Sequence, residues 1–251
     1  MLEDLTPTGV RVSAIIYGGR SPIALELCRQ LIGNGHEVHL ITRVRDKAIL
    51  DLAKENGCTE VHECDLGDLN QSVALASKIN DRMGGLDAVA FMHRYRSQSP
   101  DPFQQFAVEV NTPYAILEMF SKQSRTKECS IVFSTSPAAE VIVQDQNFQY
   151  HASKAAISQL VRFGAVKFSM NQIRVNGINP GTFVYKDRAK SFYNQNPQII
   201  EQIKDLVPLG RMAVVEEIAN VASFLLSKKS SYINGEIINI DGGLSKVNHK
   251  L

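Results

Sequence analysis

The chain has 251 residues, 44% of them hydrophobic, and its 27 Lys+Arg against 26 Asp+Glu leave a formal charge of +1. That length suits one large α/β domain or two small ones, and the balanced charge, with no basic stripe, speaks against nucleic acid as a partner. No apolar run approaches the roughly 18 residues needed to span a bilayer. The acidic start MLEDLTPTG lacks a signal peptide's apolar core, and Cys28, Cys58, Cys64 and Cys129 form no paired framework. The expectation is a cytoplasmic protein with no membrane partner.

Residues 11–18, RVSAIIYG, form an apolar, β-branched run ending in glycine, which reads as a buried strand meeting a turn. GGRSPIALELCRQLIGNG follows with apolar residues at helical spacing. Ser21 suits the N-cap, Pro22 the first helical position and Gly35 the exit. The cycle then repeats: strand EVHLITR, a helix near 46–56, strand EVHEC, a helix near 69–83 and strand LDAVAFMH. Such alternation predicts a doubly wound parallel sheet flanked by helices, the Rossmann-type α/β architecture.

Cys58, His62 and Cys64 lie close enough in sequence to suggest a metal. In a strand, however, neighbouring side chains of EVHEC point to opposite faces, and a structural zinc site needs four ligands. No metal is expected.

Further on, the pattern predicts a helix over 103–123, a strand at 130–134 (SIVFS), a helix through YHASK to about 169 and a strand QIRVNGI. Residues 182–207 are polar and aromatic and longer than an ordinary connection, which points to a functional flap containing Phe183, Tyr185, Phe192 and Tyr193. Its Lys186, Arg188 and Lys190 either meet a carboxylate or form a solvated face. Helix EEIANVASFLLS and strand GEIINI complete a single domain, with a cofactor half over about 10–135 and a catalytic and substrate half over about 136–251.

Within YHASK, Tyr150 and Lys154 stand four residues apart on one helix face. A tyrosine hydroxyl ordinarily titrates near 10, so passing a proton at neutral pH requires lowering it by roughly 3 units, about 4 kcal/mol. A neighbouring cation supplies much of that.

The order of elements, together with YHASKAA (150–156), IRVNGINPG (173–181), PLGRMAVVEEIA (208–219) and INGEIINIDGG (233–243), resembles the short-chain dehydrogenase/reductase family over nearly the whole chain. The resemblance implies hydride transfer between a nicotinamide and a small carbonyl or alcohol substrate. It makes Tyr150 the acid/base and Lys154 the residue that tunes it and holds the nicotinamide ribose. Ser136, 14 residues before the tyrosine, would orient the substrate oxygen, with Thr135 as the fallback. Asn111 of EVNTP matches the helix asparagine that ties a water to the lysine. Homo-oligomers, tetramers or dimers, are implied through the helices near 103–123 and 150–169 and the C-terminal segment.

Two stretches depart from the family pattern. The phosphate loop, usually TGxxxGxG, reads YGGRSPIA: Gly18 keeps the first glycine, while Pro22 and Ala24 replace the others. Proline offers no N–H to a phosphate and fills space a glycine would leave, although Ser21 and the Ile23 amide remain at a helix N-terminus, itself an anion site. A weakened or reshaped site is expected. Where the family carries NNAG, this chain has Phe91-Met92-His93-Arg94. Phe91 or Met92 then packs the sheet with His93 or Arg94 solvated, or one of the latter two meets an acidic part of the substrate or cofactor.

The end of the second strand carries Thr42 and Arg43 where NAD-preferring relatives place an acid, so NADP(H) is expected over NAD(H): an arginine binds a 2′-phosphate that an acid would repel. Arg20 would add a second cation. Asp65 matches the residue that contacts adenine, with Leu66 beside it, and Pro180 and Gly181 of INPG fall on the cofactor side. The competing reading, motivated by Pro22 and residues 91–94, is a family-fold protein that has lost tight cofactor binding and holds a ligand or partner without redox turnover.

Overall fold

A computed structural model describes residues 12–97, 101–123, 127–185 and 190–247. Among them, β1 (Val12–Tyr17), β2 (His36–Thr42), β3 (Glu60–Glu63), β4 (Ala88–Phe91), β5 (Cys129–Ser134), β6 (Ile173–Asn179) and β7 (Ile237–Asn239) form one sheet in the order β3-β2-β1-β4-β5-β6-β7. Every pairing is parallel. The order reverses at β1, between β2 and β4, and in such sheets the crevice beyond the strand ends at that point receives ligands.

Helices cover both faces because the central strands are apolar on both. On one face lie α3 (Leu69–Arg82), α5 (Thr112–Lys122) and α6 (Phe148–Lys167), which bury Ile79, Leu117, Phe120 and Val161. On the other, α1 (Pro22–Gly33), α2 (Lys47–Glu55) and α9 (Val215–Leu226) bury Leu27, Leu31, Ile49 and Leu225. At about 1.5–3 kcal/mol for each fully buried large aliphatic side chain, these two layers are the main source of stability.

The helix expected over 103–123 is interrupted. A short α4 (Pro102–Phe106) runs into a π turn at Ala107–Asn111 before α5 begins. Pro113 supplies the reason: it has no N–H to give the carbonyl four residues back, and its ring would press on that carbonyl, which belongs to Glu109. The turn widens, the Thr112 N–H bonds to the Ala107 carbonyl five residues back, and side chains before the proline rotate relative to an unbroken helix.

The flap region is also more regular than expected. Val184 bridges to Ala213, and α7 (Lys190–Gln195) and α8 (Pro197–Leu206) follow, with Tyr185 stacked on Tyr193. Lys186 and Arg188 lie outside the described residues.

Candidate active site

The turn after β1 is pressed against its neighbours. A Cβ on Gly18, whose φ is +113°, would stand 2.8 Å from the main chain of Met92 and His93, and one on Gly19 would stand 2.9 Å from Thr42 Cβ. Both glycine amides donate to the Ile41 carbonyl, at 3.0 and 3.1 Å. The chain then enters α1 with Pro22 in its first turn, and Ser21 occupies the N-cap without a side-chain capping bond. The Ile23 and Ala24 amides are therefore left without intrahelical partners at a positive helix end, which is an anion site.

Those groups open onto a cavity of about 540 Å³ at the strand ends of β1, β2 and β4. Gly18, Arg20, Ser21, Pro22, Ile23, Arg43, Asp65 and Leu66 all line it. Arg94 and Arg96 also reach it, so the walls carry four arginines against the single carboxylate of Asp65. Arg20 is neutralised by Asp46, which also caps α2 through the Ile49 amide. Arg43 has neither a hydrogen bond nor an ion pair among the described residues. Asp65 folds back to accept from the Gly67 amide at 2.9 Å, and the Leu66 carbonyl is held by the Thr112 hydroxyl at 2.8 Å. A tight glycine turn, two unpaired amides and a cationic wall fit a dinucleotide whose phosphates meet the α1 N-terminus.

Tyr17, which lines the cavity, is the first ring of a stack of three that runs into the core. Tyr17, Phe91 and Phe133 pair in register across β1, β4 and β5, with 4.7 Å between neighbouring centroids. Phe91 and Met92 are buried, so they do pack the sheet. His93 turns beneath the π turn, where its Nε2–H donates to the Val108 carbonyl at 2.9 Å and Nδ1 has no partner among the described residues. Burial pushes this imidazole down to about 4, which keeps it neutral. Arg94 lies with its guanidinium carbon 4.1 Å from the centroid of the Tyr150 ring and donates to Gln146.

Tyr150 sits in the first turn of α6, where Asn147 caps its amide at 2.9 Å. One turn on, the Lys154 ammonium is 5.6 Å from the tyrosine ring centroid. It is almost fully buried and meets Glu109 Oε2 at 3.1 Å, and the Glu109 side chain is itself completely buried. The Ser153 hydroxyl donates to the same carboxylate at 3.1 Å and the Tyr95 amide donates to its other oxygen at 2.8 Å. A buried charge pair is tolerable only with such supporting bonds.

The family resemblance points to Asn111 as the helix asparagine that ties a water to the lysine, and Asn111 lies exposed at the end of the π turn, with no direct hydrogen bond to Lys154 among the described residues. Glu109, two residues earlier, makes the direct contact with the ammonium. Pro113 is the sequence signal that could have shown it, since a proline within a predicted helix displaces the turn before it.

Ser136 is buried beyond the end of β5, and its Oγ accepts from the Ala138 amide at 3.2 Å, which leaves its own proton free to donate. The Thr135 hydroxyl is committed to the Ile178 carbonyl at 3.0 Å, which removes the fallback. Pro180 and Gly181 follow β6 outside the cavity lining. Gly181 takes a φ of +68°, and a Cβ there would stand 2.9 Å from Asp241 Cβ, so its packing alone accounts for the glycine. His62 pairs with His39 at 3.0 Å rather than with either cysteine, and Glu60 and the Arg82 guanidinium complete that cluster. None of the four cysteines forms a disulfide among the described residues.

Comparison with known proteins agrees with the fold. A family model described as enoyl-(acyl carrier protein) reductase matches residues 18–245. An L-xylulose reductase from Caenorhabditis elegans is 29% identical over 92% of this chain and 94% of its own. Two solved structures share the fold. A gluconate 5-dehydrogenase from Burkholderia cenocepacia J2315, in complex with NADP and tartrate, has a TM-score of 0.78 at 21% identity and covers 94% of this chain and 96% of its own. A 3-oxoacyl-[acyl-carrier protein] reductase from Brucella melitensis, in complex with NAD, has a TM-score of 0.77 at 22% identity and covers 95% and 99%. The chain belongs to the short-chain dehydrogenase/reductase family of nicotinamide-dependent oxidoreductases.

Proposed function

We propose that this protein is an NADP(H)-dependent reductase or dehydrogenase of a small carbonyl or alcohol compound, with Tyr150 as acid/base. The observation that carries the choice of cofactor is Arg43, an unpaired cation on the cavity wall directly after β2. A guanidinium there binds a 2′-phosphate through charge-assisted bonds, and Arg20, held by Asp46, lies on the same wall. Gly18, Ser21 and the Ile23 amide would hold the phosphates, Asp65 and Leu66 the adenosine end, and Pro180 and Gly181 the approach from β6.

The bound cofactor supplies or accepts a hydride at the nicotinamide. Tyr150 gives or takes the proton of the substrate oxygen. Ser136 Oγ, with its proton free, donates to the same oxygen and holds it toward the phenol. Lys154 and Arg94 place two positive charges by the Tyr150 ring, which stabilises negative charge developing on its hydroxyl oxygen. Glu109 anchors Lys154 from behind, and Asn111 serves through the π turn that it ends.

Two further proposals accompany this one. The exposed Phe163 and Val166 on α6 support a homo-oligomer, dimer or tetramer, and light scattering at micromolar concentration would return a monomer mass if that were wrong. Four cysteines outside any disulfide suit a reducing compartment such as the cytoplasm.

Calorimetric titration with NADPH and NADH tests the central reading. Tighter binding of NADPH is expected; equal affinity removes the role of Arg43, and binding of neither would leave a protein that holds a ligand without redox turnover.

A further inference from the structure

Arg94 is the cation nearest the ring of the proposed acid/base, and it has no acidic partner among the described residues. Its guanidinium carbon is 4.1 Å from the Tyr150 ring centroid, and its one hydrogen bond runs to the neutral amide of Gln146. A guanidinium carries five donors in a planar fork suited to a carboxylate, so most of that capacity stays open. The group is also held in place before any ligand arrives, by the ring on one side and Gln146 on the other, which lowers the entropy lost when an anion binds.

Charge elsewhere on the cavity wall does not need Arg94. The phosphates have the α1 N-terminus and Arg20, and the 2′-phosphate has Arg43, all on the β1–β2 side. Arg94 instead follows β4 and projects over α6, toward the residue that handles the substrate's proton.

We propose that Arg94 binds a carboxylate of the substrate, so that the substrate is a small oxo acid or hydroxy acid whose carboxylate lies within one or two carbons of the reacting carbon. The inference rests on the oxidoreductase reading and narrows its substrate class. A charge-assisted contact of this kind discriminates an acid from its neutral ester about tenfold or more.

The test uses matched pairs of 2-oxo and 3-oxo acids of three to six carbons with their methyl esters. NADPH consumption is followed for the wild type, Arg94→Ala and Arg94→Lys, with NADPH affinity of each measured by calorimetry. The expected result is a kcat/KM at least about tenfold higher for one acid than for its ester, carried mainly by KM. Arg94→Ala should erase the acid-over-ester preference, lowering the rate common to acid and ester only through the charge lost beside Tyr150, while leaving NADPH affinity within about twofold, and Arg94→Lys should keep part of the preference.

Equal or better use of the esters overturns the proposal. So does a loss of NADPH affinity in Arg94→Ala, which would assign the guanidinium to a cofactor phosphate. If no pair is turned over, calorimetry of the hydroxy acids on NADP⁺-saturated protein decides: binding that Arg94→Ala removes supports the carboxylate site, and no binding overturns it. If the wild type binds neither NADPH nor NADH, the oxidoreductase reading fails separately, and the same titrations on the free protein still judge Arg94.

Discussion

At the β1–α1 turn, Gly18 and Gly19 let three strands meet without side chains between them, and helix amides and an unpaired arginine face an open cavity. At the start of α6 the opposite holds. Lys154 and Glu109 are buried against each other, Ser153 and the Tyr95 amide occupy the remaining acceptor sites, and Arg94 lies on the tyrosine. The first region is made by leaving atoms out, so its chemistry is carried by backbone and position. In the second, specific side chains satisfy one another, and removing one strands another. A buried pair that loses one partner costs about 3–5 kcal/mol, whereas an exposed pair such as Arg20–Asp46 is worth about 1 kcal/mol or less.

The largest expected effect lies in the second region. Tyr150→Phe should abolish turnover and leave cofactor affinity nearly intact, because the phenol acts on the substrate's proton while the ring still carries Arg94; Lys154→Met should damage both. Retention of more than about a tenth of the wild-type rate, a barrier change below about 1.4 kcal/mol, would disqualify Tyr150 as the acid/base.

Next is Glu109→Ala, which should cost roughly 3–5 kcal/mol and lower Tm by roughly 6–20 °C, since it leaves an ammonium buried without its carboxylate. Combining it with Lys154→Met sharpens the comparison. If the two groups act as a pair, the double variant is far more stable than the sum of the single losses predicts. Additive losses in thermal melts would mean that they are only neighbours.

His93 joins the two regions, and it makes stability depend on pH. The folded imidazole titrates near 4, below the ordinary value of 6.5, so the unfolded chain takes up the proton first as pH falls. Stability should be level above pH 6.5 and decline between 6.5 and 4, by roughly 3 kcal/mol from this group. Denaturant titrations of the wild type and His93→Gln at pH 7 and 4.5 isolate it, because the carboxylates that titrate in the same window are common to both. An identical pH dependence in the two proteins would show that His93 is not held neutral.

Arg43→Asp gives the smallest shift, and it tests the open region. NADPH binding should weaken by about 1.5–3 kcal/mol more than NADH binding, through loss of a charge-assisted contact and added repulsion. Equal losses would make Arg43 a surface residue and leave the cavity without a basis for preferring one cofactor.

Much of the fold was legible because it rests on local, periodic signals. The alternation of apolar strands with helix stripes predicted the parallel sheet, and Pro22 and the exit at Gly35 bracketed α1 within two residues. Gly18, Arg20, Ser21, Ile23, Arg43, Asp65 and Leu66 line one cavity because each follows β1, β2 or β3 at the strand ends that open onto it. The two open readings of residues 91–94 divided by burial: Phe91 and Met92 went into the sheet, and Arg94 went to Tyr150.

By itself, then, the sequence determined the order of elements, the position of the glycine turn after β1 and the pairing of Tyr150 with Lys154 on one helix face. Tertiary structure decided which charge meets which. Lys154 finds Glu109 from 45 positions earlier in the chain, and Arg94 finds Tyr150 from 56 earlier. Helix periodicity fixes neighbours three or four residues apart, but it carries no information about contacts across such distances. Those depend on where α4, the π turn and α6 pack, and the π turn set by Pro113 rotated Glu109 inward and Asn111 outward.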